Sequence, residues 1–174
     1  MKSKTIYLTQ AAIIAAAYVV LTLPFAQFSF GQIQFRLAEA LTVLAALTPA
    51  AIPGLFLGCL LTNTIYPSGL GLVDIIFGSL ATLIAAFLTW RLSRRLAPAK
   101  NWWAAAIAIL PPVIVNALVV GFYLPFLLPD TQPSVLVVAT FMLSIALSEA
   151  VVVYAIGWPL LLGLRKTRIK FYEE

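Results

Sequence analysis

The chain has 174 residues, 63% apolar and 10% charged, with no histidine, one cysteine and a formal net charge of +5. Soluble domains carry roughly 45–50% apolar and about 25% charged residues, so a water-facing surface is excluded, and disorder with it. With a mean hydropathy of +1.04 and about 20 residues needed per membrane span, residues 1–174 have room for roughly six spans and no soluble domain.

Lys2 and Lys4 precede an apolar run to about residue 28. The run is too long for a cleaved leader and five more apolar segments follow it, so it predicts a first transmembrane helix. The others predict helices over about 37–47, 51–66, 72–90, 102–128 and 135–164. Pro53, with its fixed φ, suits the start of the third. The expected fold is one all-α, polytopic domain of six transmembrane helices. Ten of the eleven basic residues lie before the first span, between the fourth and fifth, or after the sixth. With six spans these groups share one side, which the positive-inside rule makes cytoplasmic, both termini included. Arg36 alone falls outside. Basic residues confined to membrane flanks are a topology signal, or in loop 91–100 a docking surface; they argue against nucleic-acid binding. There is no internal repeat of the kind that builds many secondary transporters.

Ionisable side chains in a bilayer cost at least about 2.5–3.5 kcal/mol each, so those within or at the ends of spans are candidates for function: Arg36, Glu39, Asp74 and Glu149. The amides Asn63 and Asn116 join them, with Gln34 in the first outer loop. Arg36 and Glu39, three apart, would share a helix face and neutralise each other, or meet a ligand. Asp74 opens the fourth span, where a carboxylate suits the helix dipole or a bound molecule. Glu149 sits roughly 22 Å of helix from either end of its segment, beyond the reach of snorkelling. Asn116 follows Pro111-Pro112 by about a turn. Those prolines cannot donate to the carbonyls of Ile107 and Ala108, so the helix is expected to break there. Two mid-membrane polar side chains beside a broken helix predict a polar pocket, with a buried, protonated Glu149 carboxyl making a structural hydrogen bond as the alternative.

Small residues recur at four-residue spacing as Ala11/Ala15, Ala12/Ala16 and Gly78/Thr82. That spacing permits close helix packing in lipid, within the chain or against another subunit. The chain has no Gly-x4-Gly-Lys-Ser/Thr loop, no acidic or histidine relay, no nucleophile-plus-base grouping and no metal motif. No cofactor, metal or enzymatic activity is expected.

Gly31-Gln32-Ile33-Gln34-Phe35-Arg36-Leu37-Ala38-Glu39-Ala40-Leu41 resembles the QueT family of queuosine-precursor transporters. So do residues 48–58, Asp74-Ile75-Ile76-Phe77-Gly78-Ser79-Leu80-Ala81-Thr82, Pro111-Pro112-x-x-x-Asn116-Ala117 and Glu149. The resemblance spans about residues 8–166. It implies the substrate-binding S component of an energy-coupling factor (ECF) transporter, a multi-pass protein of the bacterial cell membrane. It also implies as partners a membrane-embedded T component and two ATPase subunits, with Ala11, Ala12, Ala15 and Ala16 as the contact with the T component. The implied substrate is a 7-deazaguanine precursor of queuosine, or queuine and its nucleoside. Such a molecule presents N1–H and an amino group as adjacent donors for one carboxylate, a carbonyl for an Arg or amide, and a flat ring for an aromatic slot. Glu149 or Glu39, Asn116 and Arg36, with Phe30, Phe35 or Tyr123, would meet these needs. A stand-alone facilitator or channel, and a membrane-embedded enzyme or assembly factor, are the competing readings.

Overall fold

The computed structural model describes residues 2–26, 35–66, 70–96, 101–129 and 131–167. These residues are helical, with no strand among them. Six segments follow in order: α1 (Lys2–Thr22), α2 (Leu37–Ala46), α3 (Ala51–Ile65), α4 (Gly71–Leu96), α5 (Trp102–Leu127) and α6 (Val135–Lys166). Among the described residues, α1, extended by a 3₁₀ turn at Leu23–Phe25, and α4, α5 and α6 are long and apolar enough to cross a membrane. Of the six expected spans, the two at α2 and α3 are shorter apolar helices.

α2 owes its place to composition. Ala38 through Ala45 are all buried, and a helix apolar all round belongs inside a bundle. It is wound as a 3₁₀ helix, which rises about 2.0 Å per residue and lets ten residues reach about 20 Å instead of about 15 Å. Its alanines let neighbours approach: a side chain at Gly157 of α6 would meet Val43 at 2.7 Å and the Ala40 carbonyl at 3.0 Å.

Contacts between named residues give the helix directions. Gly54 and Gly58 of α3 sit against Ala11 and Ala15 of α1, in that order, so these two helices run parallel. The α2 end at Thr48 reaches back to Gln10 at 3.2 Å, while Glu39 near its start meets Tyr18, so α2 runs against α1. α4 runs against α3, α5 against α4, and α6 against α5. With directions alternating, the start of α1 and the ends of α4 and α6 share one end of the bundle. Arg91, Arg94 and Arg95 belong to the last turns of α4 rather than to a loop, since that helix continues to Leu96. Arg94 lies over the Trp90 ring at 5.8 Å.

Besides α2, three helices depart from regular α geometry. α5 stops at Ala108 and restarts at Pro111, as the two prolines require. Leu110 N–H turns back to the Ile107 carbonyl at 3.2 Å, and the carbonyl of Ala106 takes the Tyr154 hydroxyl at 2.9 Å instead. α4 contains a π-helical stretch at Asp74–Gly78 and α6 another at Val151–Gly157. Asn101 and Ser134 cap α5 and α6, accepting from Ala104 N–H at 2.7 Å and Val137 N–H at 3.3 Å.

Of the alanine stripes, Ala11 and Ala15 are buried against α3 while Ala12 and Ala16 are exposed. The first pair therefore packs the chain's own core, against a Gly54-x-x-x-Gly58 motif that supplies the matching groove. A side chain at Gly58 would meet Tyr18 Cβ at 2.6 Å and the Ala15 carbonyl at 3.1 Å, neither of which is a flexible tip. Gly58→Ala is expected to lower stability by about 1–3 kcal/mol, despite alanine's better helix propensity. An unchanged or higher Tm would show that α1 and α3 are not in contact there.

Candidate functional site

Nearly all the polar residues singled out in the sequence are buried together in the half of the bundle opposite the basic ends. Arg36, Glu39, Asn63, Asp74, Asn116 and Glu149 are each at most 5% exposed, and Tyr123 is half-buried. Gln34 and Phe30 lie outside the described residues.

The outer part centres on Asp74, the first residue of the π stretch in α4. Arg36 Nη2 donates to both of its oxygens, at 3.2 and 3.3 Å, and the Tyr123 hydroxyl donates to Oδ1 at 2.5 Å. Asn63 donates to the Asp74 carbonyl at 3.0 Å. Gly78, one turn along, has no side chain because Asn63, Asp74 and Tyr123 occupy the space: a Cβ there would lie 3.1–3.3 Å from each. The small residue is thus a requirement of the polar cluster as much as of helix packing.

Arg36 does not follow the expectation of a local pair with Glu39. It precedes α2 in extended conformation (φ −92°, ψ 95°), so the three-residue helical spacing does not apply to it, and its ion pair is with Asp74. Glu39 instead receives the Tyr18 hydroxyl at 2.6 Å and the Thr82 hydroxyl at 3.2 Å, both on Oε1. Cys59 joins the two groups, its sulfur 3.9 Å from Arg36 Nη1, 3.7 Å from Asn63 Nδ2 and 3.5 Å from the Thr82 hydroxyl. The deeper part pairs α5 with α6: Asn116 Nδ2 donates to Glu149 Oε1 at 3.1 Å. Asn116 also lies beside Glu39, so one amide stands between the two carboxyl groups.

Two acceptors in this cluster are left open. Glu39 Oε2 and Glu149 Oε2 are buried with no hydrogen-bond partner among the described residues. A carboxylate offers about four lone-pair positions. Glu39 Oε1 already takes two donors, whereas Glu149 Oε1 takes one, so Glu149 keeps the larger free capacity. A shallow cavity of about 280 Å³, open to the outside, is lined by Phe35, Ser144, Leu147, Ser148 and Val151. Two of its lining residues, Phe35 and Ser148, are the chain neighbours of Arg36 and Glu149. Among the described residues no group of three or more His, Cys, Asp and Glu is placed to hold a metal ion.

Sequence reasoning missed Tyr18, Cys59, Thr82 and Tyr154. A tyrosine inside an apolar run reads as a membrane-embedded aromatic, and Thr82 read only as a small residue spaced from Gly78. The signal available for Tyr18 was indirect: a buried tyrosine hydroxyl usually finds an acceptor, and Glu39 needed a donor.

The sequence model of the QueT transporter family matches residues 8–166. Over 85 residues the chain is 38% identical to the queuosine precursor transporter QueT of Lactococcus lactis subsp. cremoris (strain MG1363). The match covers 48% of this chain and 48% of that protein, so it spans about half the length of the relative. No solved structure matches the chain. A family match across nearly the whole sequence, on a bundle with several helices fit to cross a membrane, decides the class: this chain is a multi-pass membrane protein that belongs to the QueT transporter family and is not an enzyme.

Proposed function

We propose that the chain is the substrate-binding S component of an ECF importer in a bacterial cell membrane, and that it captures a 7-deazaguanine precursor of queuosine from outside. The observation that carries this reading is the pair of buried carboxylates flanking Asn116, each with one open oxygen. A burial this costly without partners calls for a ligand rich in donors. The guanine-like edge, with N1–H beside an amino group, is such a ligand, and Glu149 has the spare capacity to accept both. Asn116 completes the polar rim, and Phe35 supplies an apolar wall for the ring. Arg36, Asp74, Asn63 and Tyr123 form a neutral, cross-linked roof on the outer side. The relative's name, a queuosine precursor transporter, is consistent with that chemistry.

The membrane arrangement belongs to the same proposal. All six segments cross, α2 and α3 as short ones shielded by the others, with both termini cytoplasmic. The basic ends of α1, α4 and α6 support this, because they fall at one end of the bundle and the polar site at the other. Energy then has to come from partners, a T component and two ATPases, since the sequence has no phosphate-binding loop. The exposed alanines Ala12 and Ala16 are the docking face.

The test separates binding from transport. In Ala16→Trp the isolated protein is expected to bind ligand within about 2-fold of wild type, while uptake falls by at least about 10-fold. Tagged wild-type protein from its host should bring two ATPases and a second membrane protein with it. Undiminished uptake in the variant refutes the docking face. Transport by the chain alone in vesicles refutes the S-component reading in favour of a facilitator.

A further inference from the structure

We propose that the basic end of the bundle seats one anionic phospholipid, in a cavity of about 400 Å³ between the start of α5 and the end of α6. This site shares no residue with the polar cluster and does not depend on what that cluster binds.

The cavity exists because α5 presents small side chains there. Ala104, Ala105 and Ala108 line it, and none reaches far enough to fill the space before α6. On α6 the lining runs from Trp158 to Arg165, about 10 Å of helix. Because α5 and α6 run in opposite directions, Asn101 falls at the Arg165 end and Ala108 at the Trp158 end. One end of the cavity is therefore polar and the other apolar.

The polar end offers donors that nothing else uses. Arg165 has no acidic partner among the described residues, whose carboxylates Glu39, Asp74 and Glu149 all belong to the opposite half. Asn101 spends its side-chain oxygen on the Ala104 N–H at 2.7 Å, which leaves its amide hydrogens to give. Ser93 of α4 is on the cavity wall, and its buried hydroxyl has no partner among the described residues. Ser79, earlier in the same helix, donates to the Ile75 carbonyl at 2.6 Å instead. A guanidinium, an amide and a hydroxyl together suit the oxygens of a phosphate.

The apolar end decides for a lipid over a free phosphate ester. All four tryptophans of the chain, Trp90, Trp102, Trp103 and Trp158, lie toward this end, as aromatic residues do at a membrane surface. Trp102 and Leu162 line the cavity and are also 59% and 41% exposed, so its apolar wall continues onto the lipid-facing surface. A free phosphate would leave that wall bare. A phospholipid serves both ends, with its phosphate among the donors and one acyl chain along the alanines. The headgroup is anionic because Arg91, Arg94, Arg95 and Lys166 surround the site, and basic residues beside a membrane attract anionic lipid. A zwitterionic headgroup would bring an ammonium group toward them.

The experiment is native mass spectrometry of the purified, delipidated full chain in detergent. The probes are phosphatidylglycerol, phosphatidylcholine with the same acyl chains, and glycerol 3-phosphate. One phosphatidylglycerol should bind at least about 10-fold more tightly than phosphatidylcholine, and glycerol 3-phosphate should not displace it. Arg165→Gln should weaken phosphatidylglycerol binding by about 10-fold. Arg91→Gln, the same loss of charge outside the cavity, should weaken it by less than about 3-fold. Ala105→Leu, which fills the apolar wall, should weaken it by at least about 10-fold without lowering the melting temperature of the lipid-free protein. The wild-type comparison stands even if a variant does not fold. Equal binding of the two lipids, or equal losses in the two arginine variants, overturns the site, because the attraction then belongs to the whole basic surface. Undiminished binding in Ala105→Leu overturns the seating of an acyl chain in the cavity. Displacement by glycerol 3-phosphate overturns the lipid assignment in favour of a free phosphate ester.

Discussion

Asp74→Asn is expected to be among the most destabilising single changes in this protein, at about 3–5 kcal/mol. Asparagine keeps the shape and one acceptor for the Tyr123 hydroxyl, but it removes the charge that Arg36 approaches at 3.2 and 3.3 Å. A guanidinium buried to 5% exposure then loses its counter-ion. The melting temperature should fall by about 10 °C or more. Adding Arg36→Met to the same variant should recover much of the loss, because a neutral pair of similar volume leaves no buried charge behind. If Asp74→Asn melts like the wild type, the ion pair is not what holds the outer end of the bundle. If the double variant is the sum of the two singles, Arg36 and Asp74 act independently of each other.

Glu149→Gln should act on affinity instead. The amide oxygen can still accept from Asn116, so the inner hydrogen bond at 3.1 Å survives. The open position now carries an N–H₂ group, which places a donor against a donor of the ligand. Losing a charged hydrogen bond and gaining that mismatch should weaken binding by roughly 30- to 1000-fold, about 2–4 kcal/mol. Without ligand the variant should melt at the wild-type temperature or above it, since an uncompensated buried carboxylate has gone. A purely structural Glu149 predicts the reverse, lower stability with undiminished affinity. Melting temperature and dissociation constant measured on one preparation decide between them, and normal affinity would move the reading of the edge to Glu39.

The sequence made the membrane class and the polar inventory legible, because intramembrane charge is costly enough to be informative residue by residue. Arg36, Glu39, Asn63, Asp74, Asn116 and Glu149 all proved to be buried in one cluster. The break before Pro111 was equally readable, since a missing N–H is a local fact. Partnerships were not readable. Arg36 finds Asp74 across 38 residues, and Asn116 finds Glu149 across 33. Nothing in local spacing distinguishes those pairs from Arg36 with Glu39. The alanine stripes show the same limit. Two stripes one residue apart have identical composition, and only the groove made by Gly54 and Gly58 settles which one turns inward. The winding of α2 was not readable for a different reason. An apolar run of ten residues is too short for an α-helical span and suits a core helix, but its 3₁₀ winding is set by neighbours that the run itself does not encode.

The polar cluster draws one or more members from every helix: Tyr18 from α1, Glu39 from α2, Cys59 and Asn63 from α3, Asp74 and Thr82 from α4, Asn116 and Tyr123 from α5, and Glu149 from α6. No helix can tilt away alone without stranding a polar group in an apolar interior. The outer half of the bundle should therefore open cooperatively or not at all. A solute held there cannot leave by the swing of one side chain. On the proposed binding role, its release would be a concerted event of the whole bundle.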